Sequence, residues 1–257
     1  MLSWFHNSGM IAGHESLQRR CGVRPFAEVL NELCSNPPDG RGKVTNVALA
    51  AAVKARGGDI GHGYISQLRL GVKDNPTCQA IVDLAGALGV HPAVFLGGRG
   101  DLHAGEQPGW RANALTTLFE AVHPPDRGPW SPEEVAAAIS SSGQFGSISA
   151  SYIRELLSSA SDNPRLKHIL GLADHFGADP AYFFDDDLAA RVDSELTDFL
   201  ALRELGVVEF VTRLAERTGE LSPQARAAAV EGFRQALEVG EGWSFPLNSR
   251  RPSPDLT

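Results

Sequence analysis

The residues best suited to chemistry lie in one short stretch, His62-Gly63-Tyr64-Ile65-Ser66-Gln67-Leu68-Arg69. On a helix, Ile65 and Leu68 stand three apart and share one face, so they can anchor the segment to a core. The other side then presents hydrogen-bonding groups. Gln67 can offer a pair of hydrogen bonds to adenine, and His62 and Ser66 can bond several base edges. Gly63 carries no side chain to hold a second surface away. Tyr64, Arg69 and Lys73, with Arg41 and Lys43 from the preceding loop, suit phosphate oxygens better than base edges. These are the requirements of a helix that enters a major groove. The plainer alternative is a solvated face of an ordinary helical bundle.

The flanking sequence supplies elements to position this helix. Phe26, Val29, Leu30 and Leu33 recur with helical spacing and stop before Asn36-Pro37-Pro38. Thr45 reads as the N-cap of a second helix that runs through Ala48, Leu49, Ala52 and Val53 to Arg56. Gly57-Gly58 ends it. The third helix covers about residues 63–70 and ends at Gly71. A fourth, over 77–88, uses Ile81, Leu84, Ala85 and Leu88, and Pro92 opens a last short turn with Val94 and Phe95. Two helices joined by a tight glycine turn and flanked by others have the layout of a helix-turn-helix.

The pattern occurs twice. Tyr64-Ile65 returns as Tyr152-Ile153, Asp74-Asn75-Pro76 as Asp162-Asn163-Pro164, Gly89 to Pro92 as Gly177 to Pro180, and Phe95 as Phe183. All share one offset. Residues 23–97 are therefore read as a first helix-turn-helix domain and 111–187 as a second, degenerate one, joined by a Gly-rich linker over 98–110. In the second copy, Ala150, Ser151, Arg154, Glu155, Leu157 and Ser161 replace His62, Gly63, Ser66, Gln67, Arg69 and Lys73. Ser151 and Arg154 remain as weaker candidates for contact. Glu155 would repel phosphate, although it could accept from cytosine N4. The second copy is thus expected to bind duplex weakly or to serve as a packing platform.

Beyond Asp187, Leu188, Val192, Leu196, Leu200 and Leu205 form one apolar stripe, and Val208, Val211 and Leu214 form another. Ser222-Pro223 starts a helix through Phe233 and Leu237. Residues 188–241 are read as a helical dimerisation region, with Leu200, Val211 and Phe233 as interface residues. Residues 1–22 form an N-terminal extension and 242–257 a disordered tail. No period-two runs of β-branched residues occur. The expected fold is all-α: two tandem five-helix bundles and a helical tail.

Composition sets bounds on function. The chain has 257 residues and a formal net charge of −8. Residues 23–97 carry seven Lys/Arg against six Asp/Glu, whereas 111–185 carry five against nine and 186–257 carry eight against thirteen. The acidity lies in the second half, which leaves a locally basic face on the first half open. No stretch approaches the roughly 18 apolar residues of a membrane span, and the N-terminus has no signal-peptide core. A cytoplasmic location is expected, at the nucleoid if the helix binds duplex. Cys21, Cys34 and Cys78 show no CxxC spacing and read as reduced thiols, those in helices as core residues. No cofactor or metal site and no enzyme motif is recognised. Asp185-Asp186-Asp187 reads as helix-start chemistry rather than as a metal site.

Several stretches carry a family resemblance: His123-Pro124-Pro125-Asp126-Arg127-Gly128-Pro129, Tyr152-Ile153-Arg154-Glu155-Leu156, Asp162-Asn163-Pro164, Ala181-Tyr182-Phe183 and the helices after Asp187. Through them residues 111–241 resemble the EspR-like family of type VII secretion regulators and nucleoid-associated proteins. The first copy is the more similar to that family's recognition helix, through Tyr64-Ile65-Ser66-Gln67-Leu68-Arg69. Both copies look more distantly like Xre/Cro repressor domains. The resemblance implies a transcription regulator that binds double-stranded DNA and forms a homodimer through its C-terminal helices, here roughly 188–239. The competing reading is a protein-interaction adaptor whose helix-turn-helix units bind partner proteins. Any small-molecule effector is left unknown by the sequence.

Overall fold

The computed structural model describes residues 23–40, 42–103, 106, 108–124, 127–204 and Gln224. Among them are nine α-helices and no β-strand. The first bundle contains α1 (Phe26–Ser35), α2 (Asn46–Ala55), α3 (His62–Arg69) and α4 (Cys78–Leu88), then a 3-10 turn at Pro92–Leu96. The second contains α5 (Ala112–Ala121), α6 (Pro132–Ser142), α7 (Ala150–Leu157) and α8 (Leu166–Phe176), with a 3-10 turn at Pro180–Phe183. The chain continues into α9 (Asp186–Glu204).

Local sequence places the helix ends. The Thr45 hydroxyl accepts from Ala48 N at 3.2 Å and caps α2. Ser131 and Glu134 form a reciprocal capping box at the start of α6. Gly89 and Gly177, with φ of 73° and 65°, end α4 and α8 in the left-handed conformation that glycine adopts without strain. Asp185 accepts from Asp187 N and Leu188 N, both at 3.1 Å, so the first acid of that run caps α9 as expected.

Packing then holds the helices together. In the first bundle, Leu30, Leu49, Val53, Ile65, Leu68, Ile81 and Leu84 are fully buried. The Phe26 and Phe95 rings stack at 4.6 Å and close the bundle's ends together. Cys34 and Cys78 are buried free thiols, and burial pushes the Cys78 thiol up to about 12. In the second bundle, Ile153, Leu156, Ile169 and Leu172 take the positions of Ile65, Leu68, Ile81 and Leu84, and Tyr182 is fully buried beside them.

The described residues divide into two compact units. Both bundles, through Ala189 and without Phe119–Pro129, form one. Within it, two equivalent segments run antiparallel through a bridge between Thr77 and Arg165. Cys78 N donates to Pro164 O at 2.7 Å, and Leu166 N donates to Pro76 O at 2.8 Å. Gln79 N donates to Asn163 Oδ1, and Lys167 N to Asn75 Oδ1, both at 2.9 Å. Each contact has its mate with the two copies exchanged, which defines a local two-fold axis. Gly98 sits tightly at the same seam. A Cβ there would stand 2.6 Å from Ala181 Cβ and 2.9 Å from Ala93 Cβ. Arg99 follows and donates to Asp185 at 3.0 Å and to Glu106. Trp110 stacks on Phe183 at 4.9 Å.

The second unit comprises Phe119–Pro129 and the chain from Ala190 onward. In it, Arg203 Nη2 donates to Pro124 O and meets His123 Nδ1, both at 2.8 Å. No helix among the described residues is long and apolar enough to cross a membrane.

The first unit is expected to lose stability in mild acid, because burial disfavours the charged form of three of its histidines. Burial, with Arg99 nearby, holds the His91 imidazole below its ordinary pKa despite Glu106, Asp185 and Asp186 opposing. Burial likewise lowers His168 and His175, against weaker upward pulls from the Ser147 backbone and Glu134 respectively. In the unfolded chain these groups titrate near 6.5. The stability they contribute is therefore complete above about pH 6.5 and is lost as pH falls through their native values. Chemical denaturation at falling pH should show the midpoint dropping below about pH 6.5, well above the carboxylate range. A midpoint flat down to about pH 5 would contradict this.

Candidate nucleic-acid interface

The structure builds the face around α3 largely as the spacing requires. Ile65 and Leu68 are fully buried against α1 and α2. His62, Gly63 and Gln67 are exposed, and Ser66 and Tyr64 are half-buried. A Cβ built at Gly63 meets nothing within 4 Å. Nothing among the described residues therefore calls for glycine at a helical position where it costs about 0.5–1 kcal/mol relative to alanine. Gly61 precedes α3 and offers no side-chain cap, whereas Ser149 Oγ accepts from Tyr152 N at 3.1 Å at the start of α7.

Among the cation candidates, Lys43 and Lys73 are exposed. Lys73 Nζ lies 5.2 Å from the centre of the Tyr64 ring, so these two are brought together. Arg41 lies outside the described residues.

Arg69 departs from the expectation. Its Nε donates to Asn31 Oδ1 at 2.8 Å and its Nη1 to Asn46 Oδ1 at 2.7 Å, while Asn31 Nδ2 donates back to Arg69 O at 2.8 Å. The guanidinium is turned inward and ties α1, α2 and α3 together; it does not project toward a phosphate. Two charge-assisted bonds in a part-buried setting contribute about 1–2 kcal/mol. Arg69→Ala should lower the unfolding free energy by about that amount and leave the salt slope of any duplex binding unchanged. A slope reduced by about one would return Arg69 to the phosphate contacts.

The equivalent face of the second bundle is organised differently. Ser151, Arg154 and Glu155 are exposed. Arg154 is paired with Glu133 in the first turn of α6, so the cation retained on that helix faces an acid. Both partners are more than half exposed, so the pair adds little stability but does reduce the local positive potential. Of the residues expected at a dimer interface, Leu200 is half-buried on α9. Val211 and Phe233 lie outside the described residues.

Three features around α3 escape a reading based on periodicity. Asn46 and Asn31 hold Arg69. Val47, Leu70 and Val72 are large apolar residues left exposed, Leu70 at 75% and Val72 at 71%. Arg165, from the second bundle, joins Tyr64, Val72, Lys73, Asp74 and Asn75 in lining a cleft of about 270 Å³. Burial raises the Tyr64 phenol pKa, and Arg165 pulls it the other way. Among the described residues, no group of three or more His, Cys, Asp or Glu side chains could hold a metal ion.

No protein-family model matches the chain. Two curated proteins do: the nucleoid-associated protein EspR of Mycobacterium tuberculosis strain CDC 1551 / Oshkosh and that of strain ATCC 25618 / H37Rv. Each is 34% identical over 131 residues, which cover 51% of this chain and 94% of the relative. The relative is thus matched almost end to end, while about half of this chain lies outside the match. With an all-α fold and that degree of identity, the chain belongs to the EspR family.

Proposed function

We propose that the protein is a sequence-specific DNA-binding transcriptional regulator of the nucleoid that reads the major groove mainly with α3. The observation that carries this reading is the two-sidedness of α3. Ile65 and Leu68 are sealed in the core, while His62, Gly63 and Gln67 stand open to solvent. Base-edge contacts are assigned to His62, Gly63, Ser66 and Gln67. Phosphate contacts are assigned to Lys43, Tyr64 and Lys73. The relatives are named as nucleoid-associated proteins, which supports a DNA-bridging role beside local regulation. On this reading, residues 23–97 and 111–187 are two helix-turn-helix domains and 188–241 a dimerisation region.

Binding of labelled duplex at several salt concentrations tests the function. Backbone contacts give log K falling linearly with log salt; no binding, or binding without a slope, rejects the proposal. The homodimer is tested separately. Leu200→Glu combined with Val211→Glu and Phe233→Glu should halve the mass seen by light scattering, and an unchanged mass would remove these positions from the interface.

One observation favours the adaptor reading, the exposed apolar group Val47, Leu70 and Val72. Beside a polar helix face, such side chains also suit thymine methyl groups, so they do not displace the DNA reading.

A further inference from the structure

The seam between the bundles has the form of a two-fold dimer interface, and it lies within one chain. The Thr77–Arg165 bridge joins residues in equivalent positions, and every hydrogen bond around it is reciprocated. The segment that makes it begins a few residues after α3 in one copy and after α7 in the other. The closing turn is also the same in both: Lys73 N donates to Gln67 O and Ser161 N to Glu155 O, each at 3.1 Å. α3 and α7 are thus related by one axis; in two-fold regulators, helices related in this way meet paired half-sites on a duplex.

The symmetry holds for backbone and fails for charge. On one side of the axis, the cleft brings Tyr64, Lys73 and Arg165 together. The positions related to them by the axis are Tyr152, Ser161 and Thr77. Two cations on one side therefore face two hydroxyls on the other. The groove-facing side chains differ too: Gln67 and Ser66 correspond to Glu155 and Arg154. Asp74 is common to both sides and is engaged by Lys167 at 2.7 Å, which leaves Lys73 and Arg165 as the cations available to an anion in the cleft.

Building on the DNA-binding reading, we propose that a single chain reads one composite, asymmetric duplex site: two unlike half-sites about one helical turn apart. The Tyr64–Lys73–Arg165 cleft grips a backbone phosphate between them on one strand only. The chain does alone what a repressor of this size ordinarily achieves with two copies, and its target is not a palindrome.

The test uses the full chain. Duplexes are selected from a random pool, and the selected duplex is footprinted with hydroxyl radicals. The expected result is two protected patches about 10 base pairs apart on one face, with different sequences. Replacing the weaker half-site by an inverted copy of the stronger one then reduces affinity. Arg165→Ala, at an exposed position, lowers the salt slope by about one on the composite duplex. It has no effect on a duplex truncated at the edge of the α3 half-site, which lacks that phosphate. Two identical inverted half-sites would assign pairing to two copies of the first bundle and overturn the proposal, as would a single protected patch. Both outcomes leave the DNA-binding function standing. Failure to select any duplex overturns both.

Discussion

Gln67→Ala is expected to weaken binding to the preferred duplex by about 5- to 150-fold, with little change on a random duplex. A side chain that makes a bidentate contact to one base contributes about 1–3 kcal/mol of discrimination, and binding to unselected sequence draws on phosphates instead. The loss should therefore appear as lost preference, with the salt slope kept. Gln67 is exposed on α3, so the variant should unfold within about 0.5 kcal/mol of the parent chain. That separates recognition from folding. Fluorescence anisotropy on both duplexes, beside a denaturant titration, gives the answer. Equal losses on both duplexes would move Gln67 to the backbone contacts, and no loss on either would remove it from the interface.

Leu68→Ala should produce the opposite pattern, a loss of stability of about 2–5 kcal/mol. The side chain is fully buried, and truncating a buried leucine removes its transfer free energy and leaves a cavity that only partly collapses. Against a total of roughly 5–15 kcal/mol for a domain, that is a large share. Its partner Ile65 is the other residue of α3 that is fully buried. Loosening either should also misplace the polar face that Gln67 shares. The expected result is a lower denaturation midpoint with affinity falling on all duplexes together. An unchanged midpoint would mean that α3 is held by something other than these two anchors.

The parts of the fold that follow local rules could be read in advance. Thr45 as a cap, proline after Asn36, glycine after Leu88 and Leu70, and the three-residue spacing of Ile65 and Leu68 each act within one turn of helix. The polar side of α3 was legible for the same reason. Arg69 was not, because its direction is decided by Asn31, which lies 38 residues earlier, and by Asn46 on a different helix. A cation at the end of a polar face looks outward until its partners are placed. The repeated Asp-Asn-Pro marked a duplication but gave no sign that the two copies would bind each other. That depends on backbone groups of Pro76 and Pro164, and on Asn75 and Asn163 each accepting from the opposite copy, partners that the motif itself does not name. Gly98 and Arg99 lie in the segment read as a linker. Their tight packing on Ala181 and their pairing with Asp185 become visible only once the second bundle is in position.

The antiparallel seam has a consequence for how such a protein can change. In a homodimer, one substitution in the gene appears on both sides of the axis, so the halves cannot drift apart. Here Pro76 and Pro164 are encoded separately, and so are the helices beside them. Each copy is free to acquire its own residues while the reciprocal backbone bonds persist. Because the two halves are tethered, their pairing does not weaken on dilution as a bimolecular one would.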